Sequence, residues 1–303
     1  MKTITLILAL YINLGISAQN DLKYASYNVV FNSLVSGFGS AIHHKSNESF
    51  FHAFVQGSYK GAIGGALNYS GIKLVQVSAI NNNYNLIWPG KLVNSLGTSI
   101  NCNAAENKGM FSSFQMNFYF VNLNYNGKLH CKIDPLTLGY TTYLSFKKDM
   151  SFNLKTTLET GSILFDQKSN STIFDGGLPK GIFGTSLANS AYIKPTQEYF
   201  YDFYKGKLLV GNQTINTIKQ TQTIRDISIP TTCHELIHTM QYEQSYSINY
   251  LTNKFDNKYI YINFEFCTLY LAANVNGYNN NYFEHEADYF GNSNYLITNT
   301  KYH

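Results

Sequence analysis

The spacing of apolar residues changes along the chain and predicts two kinds of secondary structure. Between residues 27 and 110, apolar residues recur at intervals of three and four, as in Leu34-Val35 and Phe38, which is typical of helices. From Phe111 onward the interval becomes two, and Asn126-Gly127 is a strong hairpin signal. The pattern therefore predicts a helical N-terminal part that is followed by antiparallel strands.

Four segments predict an antiparallel meander, and a loop follows them. The predicted strands are residues 114–121, 128–133, 138–146 and 152–164. The stretch 166–184 is rich in Gly, Ser, Asn and Asp, which favours a loop, and residues 185–194 are interpreted as a further strand. A soft boundary in this loop divides the chain into a helical and β-meander region, 19–166, and a C-terminal region, 167–303.

The beginning of the chain has the pattern of a secretory signal peptide. Met1-Lys2-Thr3 is a short basic start, residues 4–17 are apolar with few interruptions, and Ala18 precedes polar chain. We therefore predict a signal peptide over residues 1–18. The protein is expected to be exported, which includes secretion, a periplasmic location and association with the cell envelope.

A second stretch, residues 24–44, carries no Asp, Glu, Lys or Arg and is long enough to span a bilayer. Its polar residues would each need a hydrogen-bond partner in lipid; they are Asn28, Asn32, Ser33, Ser36 and Ser40. We therefore predict a helix that packs on protein, and no transmembrane span is expected.

Composition excludes some functions and assigns none. The 303 residues include 22 Lys+Arg and 18 Asp+Glu, and the net charge of +4 is too small to indicate nucleic-acid binding. Aromatic residues make up 16% of the chain, which excludes a disordered protein. Gly61, Gly64 and Gly65 lack the preceding strand and the Lys-Ser/Thr of a phosphate-binding loop, so they predict close helix packing.

The four cysteines permit disulfide bonds in an exported protein. Three pairings are possible, and sequence proximity mildly favours Cys102–Cys131 and Cys233–Cys267. There is no CxxC motif, so a zinc site built from cysteines is not indicated.

The sharpest signal is His234-Glu235-Leu236-Ile237-His238. On a helix, residues four apart share a face, so His234 and His238 are able to bind one metal ion, and Glu235 is placed to act as general base on a water molecule. Pro230 suits the first turn of such a helix. The alternative is a structural helix in which Thr232 and Glu235 form a capping box.

A catalytic zinc site needs a third protein ligand, and residues 281–291 supply candidates on a second predicted helix. Glu284 and Asp288 share a face, whereas Glu286 points elsewhere. Glu284 is thus the predicted third ligand, and Asp288 is expected to accept a hydrogen bond from the outer nitrogen of a ligand histidine. The alternative is an acidic, solvated helix face.

This combination of motifs resembles the gluzincin metallopeptidases, in which HExxH is followed by a distant Glu ligand and an Asp one turn later. The strings from His234 to Gln241 and from Glu284 to Asp288 are also similar to exported bacterial domains with HELxHxxQ and a later ExEAD. The resemblance covers about residues 184–291. It implies a Zn²⁺ cofactor held by His234, His238 and Glu284, and residues 185–194 as the edge strand that binds an extended peptide.

The sequence thus predicts an α+β fold with a helical N-terminal part, an antiparallel β meander and a C-terminal, zincin-like helical metal site. The leading functional hypothesis is an exported zinc metallopeptidase that acts on a peptide or protein, with Glu235 as general base. The competing hypothesis is a non-enzymatic secreted or envelope-surface binding protein with a vestigial metal motif. The sequence assigns neither an oxyanion-stabilising residue nor an oligomeric state.

Overall fold

The computed structural model describes residues 18–148, 150–167, 184–187, 189–193, 228–252, 259–276 and 280–291. Over these ranges the fold is α+β, with a helical N-terminal part and a β region in the middle, as the sequence predicts. Residues 1–17 of the predicted signal peptide and most of the predicted loop at 166–184 lie outside the described residues.

The helices and strands follow one another in a mixed order. The described helices are α1 (Ala18–Ile42), α2 (Phe50–Ile80), α3 (Ile87–Ala105), α4 (Pro135–Ser145), α5 (Leu154–Thr160), α6 (Ser228–Gln244), α7 (Asn249–Thr252), α8 (Phe264–Ala273) and α9 (Tyr282–Phe290), with 3₁₀ turns at Ser245–Ile248 and Asn274–Asn276. The described strands are β1 (Phe114–Phe118), β2 (Val121–Tyr125), β3 (Leu129–Ile133), β4 (Met150–Phe152), β5 (Ile163–Gln167), β6 (Gly184–Leu187) and β7 (Ser190–Ile193).

The three N-terminal helices approach one another closely through glycine. A Cβ atom at Gly61 would lie 2.3 Å from the carbonyl oxygen of Asn32, and one at Gly64 would lie 2.0 Å from Oδ1 of Asn101. Side chains larger than hydrogen therefore do not fit at these contacts. The predicted packing role of the glycines is confirmed.

Helix α1 packs on protein along its polar side, as predicted. Asn32 donates to the carbonyl of Asn28 at 2.8 Å, and Ser36 donates to the carbonyl of Asn101 at 3.2 Å. Hydrogen bonds within the protein thus satisfy these polar groups. Among the described residues, no helix combines the length and the apolar character needed to cross a membrane.

The first sheet is a three-stranded antiparallel meander in the order β1-β2-β3. The fourth strand predicted at residues 138–146 is wrong, because α4 occupies this segment. The carboxylate of Asp134 accepts hydrogen bonds from the backbone N–H groups of Leu136 and Thr137, and Pro135 takes the first helical position. Such a cap and proline start a helix, and they prevail over the strand preference of the Thr and Tyr residues that follow.

The second sheet has the strand order β4-β5-β7-β6, with β5 and β7 parallel. The continuous strand predicted at residues 152–164 is wrong. Asn153 caps α5 by accepting from the N–H of Thr156, and Gly161 ends the helix at φ +69°. The predicted strand at 185–194 corresponds to two strands, since β6 and β7 pair antiparallel within that range.

The N-terminal helices share one hydrophobic core with α6 and α9. Buried side chains of Ile72 and Ile87 belong to the same cluster as Leu236, Ile237 and Phe290. Residues from both regions defined in the sequence therefore build the support on which the predicted metal-binding helices rest.

The structure leaves all four cysteines as free thiols, so the favoured disulfide pairs are not formed. Cys102 and Cys233 are buried, whereas Cys131 is exposed. The amide of Gln115 donates to the Cys102 sulfur at 3.0 Å. Proximity along the sequence is a weak guide here, because pairing depends on the distance and direction between the Cβ atoms.

Candidate metal centre

Helix α6 carries the HELIH segment well inside its length. It begins at Ser228, so Pro230 lies in the first turn and Glu235 lies two turns from the N-terminus. Glu235 is too deep to cap the free N–H groups of the helix. The alternative of a capping box formed by Thr232 and Glu235 is therefore wrong.

Two sets of contacts position α6 relative to the rest of the protein. Leu236, Ile237 and Met240 are fully buried in the shared core and hold the helix in place. At its C-terminal end, Glu243 accepts hydrogen bonds from Asn94 and Ser95 of α3 at 3.0 and 2.9 Å. These contacts fix the rotation of α6, and the histidines lie on the side facing α9.

Helix α9 is started by Asn281, whose side chain accepts from the N–H of Phe283 at 3.0 Å. It ends at Gly291, where a Cβ atom would lie 2.8 Å from Cα of His234. The absence of a side chain at Gly291 thus allows α9 to end directly against α6. This close approach brings the acidic residues of α9 to the histidines.

The predicted ligand atoms converge on one point. Nε2 of His234 and Nε2 of His238 lie 3.2 Å apart, and each lies 3.5 Å from a different carboxylate oxygen of Glu284: His234 from Oε2 and His238 from Oε1. All three side chains are buried. Their ligand atoms lie within 4.8 Å of one another, and they form a group that could hold a metal ion.

The nitrogen–nitrogen separation and each nitrogen–oxygen separation are close to the spacing of neighbouring ligands around a tetrahedral metal ion. With zinc bonds of about 2.0–2.2 Å to nitrogen and oxygen, neighbouring ligand atoms lie about 3.3–3.5 Å apart. Two imidazoles and one carboxylate are also the donor set of several catalytic zinc sites, which use three protein ligands. The side chains present therefore fit zinc in both chemistry and spacing.

The outer nitrogens of both histidines face acceptor oxygens. Nδ1 of His234 lies 3.1 Å from Oδ1 of Asp288, and Nδ1 of His238 lies 2.8 Å from Oε1 of Gln241. An acceptor at Nδ1 favours a proton there and leaves the Nε2 lone pair free for a metal. The structure thus places Asp288 where the sequence analysis expected it, and Gln241 plays the corresponding part for His238.

Glu286 supports this arrangement without joining it. Its carboxylate accepts hydrogen bonds from Gln241 at 2.9 Å, from Tyr282 at 2.8 Å and from Asn28 of α1 at 2.7 Å. It points away from the cluster of ligand atoms, as the helix spacing predicts. Through Gln241, however, it connects α1 to the outer nitrogen of His238.

Tyr270 of α8 completes the surroundings of Glu284. Its hydroxyl donates a hydrogen bond to Oε1 of Glu284, and its ring centroid lies 6.0 Å from that of His238. Burial, followed by the nearby Glu284 carboxylate, raises the pKa of Tyr270. Tyr289 of α9 is engaged elsewhere, since its hydroxyl donates to Asp21.

Burial and the close charges shift the pKa values of the cluster. Burial alone would lower the pKa of His234, but hydrogen bonds to Asp288 and Glu284 outweigh burial and raise it to about 10. Burial alone would raise the pKa of Glu284, but the two histidines hold it well below its usual range. The metal-free cluster thus carries a protonated imidazole against a carboxylate.

Glu235 lies beside the cluster and next to the second sheet. Burial raises the pKa of its carboxyl group, and the two histidines oppose that rise. Its side chain hydrogen-bonds with Ser186 of β6. Within the described ranges, β6 is the last strand of its sheet, so Glu235 adjoins a sheet edge.

Comparison with known proteins adds no relative: no protein-family model, curated protein or solved structure matches this chain. The site therefore rests on its own geometry. The five residues predicted from the sequence lie together in the structure: His234, His238, Glu284, Asp288 and Glu235. Gln241 and Tyr270, which contact the ligands, are not predicted from the sequence. For Gln241 a signal is present, since a residue three positions after His238 shares its helix face.

Proposed function

We propose that this protein is an exported zinc metallopeptidase that hydrolyses peptide bonds in a peptide or protein substrate. The observation that carries the proposal is the buried group of His234, His238 and Glu284, with ligand atoms within 4.8 Å of one another. Glu235 lies on the same helix as the two histidines. This combination supports metal-assisted hydrolysis more directly than a purely structural metal site.

The residues have distinct tasks in this proposal. A zinc ion held by His234, His238 and Glu284 would polarise the scissile carbonyl and increase the acidity of a water molecule. Glu235 accepts the proton of the attacking water and passes it to the amine as the C–N bond breaks. The raised pKa of Glu235 favours this task, since a base works best near the operating pH.

Tyr270 is the candidate for stabilising the negative charge that develops on the carbonyl oxygen. Its hydroxyl donates to a ligand oxygen of Glu284, and its raised pKa keeps it protonated, so the hydroxyl would turn its single proton from Glu284 to the developing oxyanion. A donor held in a buried site stabilises such charge more effectively than water does. We therefore assign to Tyr270 the oxyanion-stabilising role for which the sequence alone indicates no residue.

Strand β6 is the proposed binding edge for the substrate. An extended peptide binds a sheet edge through main-chain hydrogen bonds, which set its direction without demanding one sequence. Ser186 of β6 bonds to Glu235, so a peptide on this edge runs close to the general base. This arrangement supports a polypeptide substrate over a small molecule.

The test is the hydrolysis of an unfolded protein by the wild type and by Glu235→Gln at equal zinc content. Glu235 is not a ligand, so the variant should keep zinc and lose about a hundred- to ten-thousand-fold in turnover. Glu159→Gln, a change at a partly exposed position of α5, is the matched control and should be fully active. Turnover of Glu235→Gln at the wild-type rate would contradict the proposed mechanism.

A second outcome addresses the substrate. Zinc-loaded wild type that cleaves neither an unfolded protein nor a diverse peptide library would contradict the peptidase proposal. That result would favour the competing hypothesis of a binding protein with a vestigial metal motif.

A further inference from the structure

One side of α1 is apolar and exposed. We define the outer apolar face as Tyr27, Val30, Phe31, Leu34, Phe38 and Ile42 of α1 with Phe50, Phe51, Val55 and Tyr59 of α2, all of which are exposed. The rings of Phe38 and Phe54 lie 5.1 Å apart and join the two helices within this face. Soluble proteins rarely expose so many adjacent apolar side chains without a binding role.

The contacts among α1, α2 and α3 are made largely by small and polar residues, whereas other apolar side chains of these helices pack on α6 and α9. Asn101 of α3 donates to the side-chain oxygens of Asn32 and Asn68, both at 2.8 Å, at the centre of the three-helix unit. On α2, Gly57 and Gly61 face α1, where a Cβ atom would lie 2.5 and 2.3 Å from its carbonyl oxygens. A helix of a water-soluble protein normally shows the reverse distribution.

This distribution is the one expected of helices whose outer surroundings are lipid. In hydrocarbon, apolar side chains gain nothing by packing together, so helices associate through small residues and interhelical hydrogen bonds of Asn and Ser. Glycine contacts at three turns of α2 and the Asn32–Asn68–Asn101 group have this character. The packing of the three helices thus does not use the side chains of the outer apolar face, which are left available for contact with lipid.

The charges at the ends of the face favour an anionic bilayer. Between the exposed Lys23 and Lys45, α1 carries no Asp, Glu, Lys or Arg. Of the nearby acids, Asp21 pairs with Lys73 at 3.0 Å, whereas Glu48 accepts from Asn107 at 2.7 Å and keeps its charge near Lys45. Two basic groups thus flank an apolar stripe about 22 Å long, which suits phosphate groups on either side of buried acyl chains.

We propose that the outer apolar face binds the surface of an anionic phospholipid bilayer, with its apolar side chains among the acyl chains and Lys23 and Lys45 at the headgroup phosphates. The inner side of α1 carries Asn28, which reaches α9. The metal centre therefore lies on the side of α1 away from the lipid. This proposal is independent of the proposed peptidase activity.

The test is flotation of the chain of residues 19–303 with phospholipid vesicles in a density gradient. The apolar variant is Val30→Gln, Phe31→Gln and Leu34→Gln, and its matched control is Phe146→Gln, Leu154→Gln and Leu158→Gln, which changes three exposed apolar residues elsewhere. Glutamine is a good helix former, so α1 should persist. We expect vesicle binding to fall at least tenfold in the apolar variant and to be unchanged in the control.

A charge variant examines the headgroup contact. Lys23→Gln with Lys45→Gln should weaken binding to phosphatidylglycerol-containing vesicles by about fivefold per lysine, and should not affect binding to phosphatidylcholine alone. Circular dichroism and zinc binding of every variant report whether the fold persists. These readouts separate failure of this proposal from failure of the metal site.

Three results would overturn the proposal. The first is a wild-type chain that does not float with anionic vesicles, and the second is an apolar variant that floats as well as the wild type. The third is a wild-type dimer in lipid-free buffer that the apolar variant converts to a monomer without any vesicle binding, because the face would then belong to a second copy of the chain.

Discussion

The outer nitrogen of His234 lies 3.1 Å from Oδ1 of Asp288, so the helix that supplies Glu284 also orients a ligand of the other helix. Glu284 and Asp288 therefore both contact the metal centre, because residues four apart share a helix face. We expect Asp288→Asn to weaken zinc binding by about ten- to a hundred-fold while the fold persists. Chelator competition measures this, and unchanged affinity would show that the contact has no orienting role.

We expect substitution of Glu286 to lower the stability of the fold more than it lowers zinc affinity. Its carboxylate accepts hydrogen bonds from Asn28, Gln241 and Tyr282 in a fully buried position. Glu286→Ala leaves these donors without their acceptor, at about 1–3 kcal/mol for each unsatisfied group. Urea unfolding should therefore show a loss of several kcal/mol, whereas Glu286→Gln should lose less because its amide oxygen still accepts.

The same pair of variants tests the support of His238. Because Gln241 joins Glu286 to the outer nitrogen of His238, Glu286→Gln should lower zinc affinity only modestly. Loss of zinc as complete in Glu286→Gln as in Glu284→Ala would contradict the assignment of Glu284 as the ligand.

Zinc affinity should rise with pH. The pKa of His234 is raised to about 10 in the metal-free protein, and zinc binds only the imidazole that has lost its proton. Protons thus compete with zinc at every pH below about 10, and apparent affinity should increase about tenfold per pH unit for each proton displaced. Competition titrations between pH 6 and 8 measure the slope, and a flat profile would show that His234 is already neutral there.

The raised pKa of His234 also makes the stability of the metal-free protein depend on pH. The folded-state pKa of His234 lies above its unfolded value of 6.5, so protonation stabilises the fold. This contribution is fully present below about pH 6.5 and is lost as the pH rises through about 10. Urea unfolding of metal-free protein at several pH values measures it.

Only glycine fits at position 61 of the contact between α1 and α2. Gly61→Ala puts a Cβ atom 2.3 Å from the carbonyl oxygen of Asn32, so the helices must move apart, and we expect a loss of about 1–3 kcal/mol. Gly139→Ala in α4 is the matched control, because nothing lies within 4 Å of the added atom. The control should be stabilised by about 0.5–1 kcal/mol. Equal effects of the two changes in thermal unfolding would contradict the close approach.

The sequence predicted those parts that depend on local spacing. Residues four apart on one helix share a face in any fold, so His234 with His238 and Glu284 with Asp288 were accessible before the structure. Tyr270 and Asn28 were not, because they reach α9 from elements that tertiary packing alone brings there. No spacing rule connects positions so far apart in the chain.

The two strand errors have a different origin. At residues 138–146 and 152–164 the aromatic and β-branched composition favoured strands, but Asp134 and Asn153 cap helices there. Both capping residues can be recognised in the sequence, and Pro135 directly follows the first of them. In both segments the helix-start signals therefore prevail over the strand preference of the composition.

The central claim is that His234, His238 and Glu284 form one zinc site, and the metal content of the purified protein tests it most directly. After metal-replete refolding, the wild type should hold one zinc ion per chain by elemental analysis. Glu284→Ala should hold much less, with circular dichroism showing the same helices. A wild-type chain without zinc, or a Glu284→Ala chain with as much zinc as the wild type, would contradict the claim.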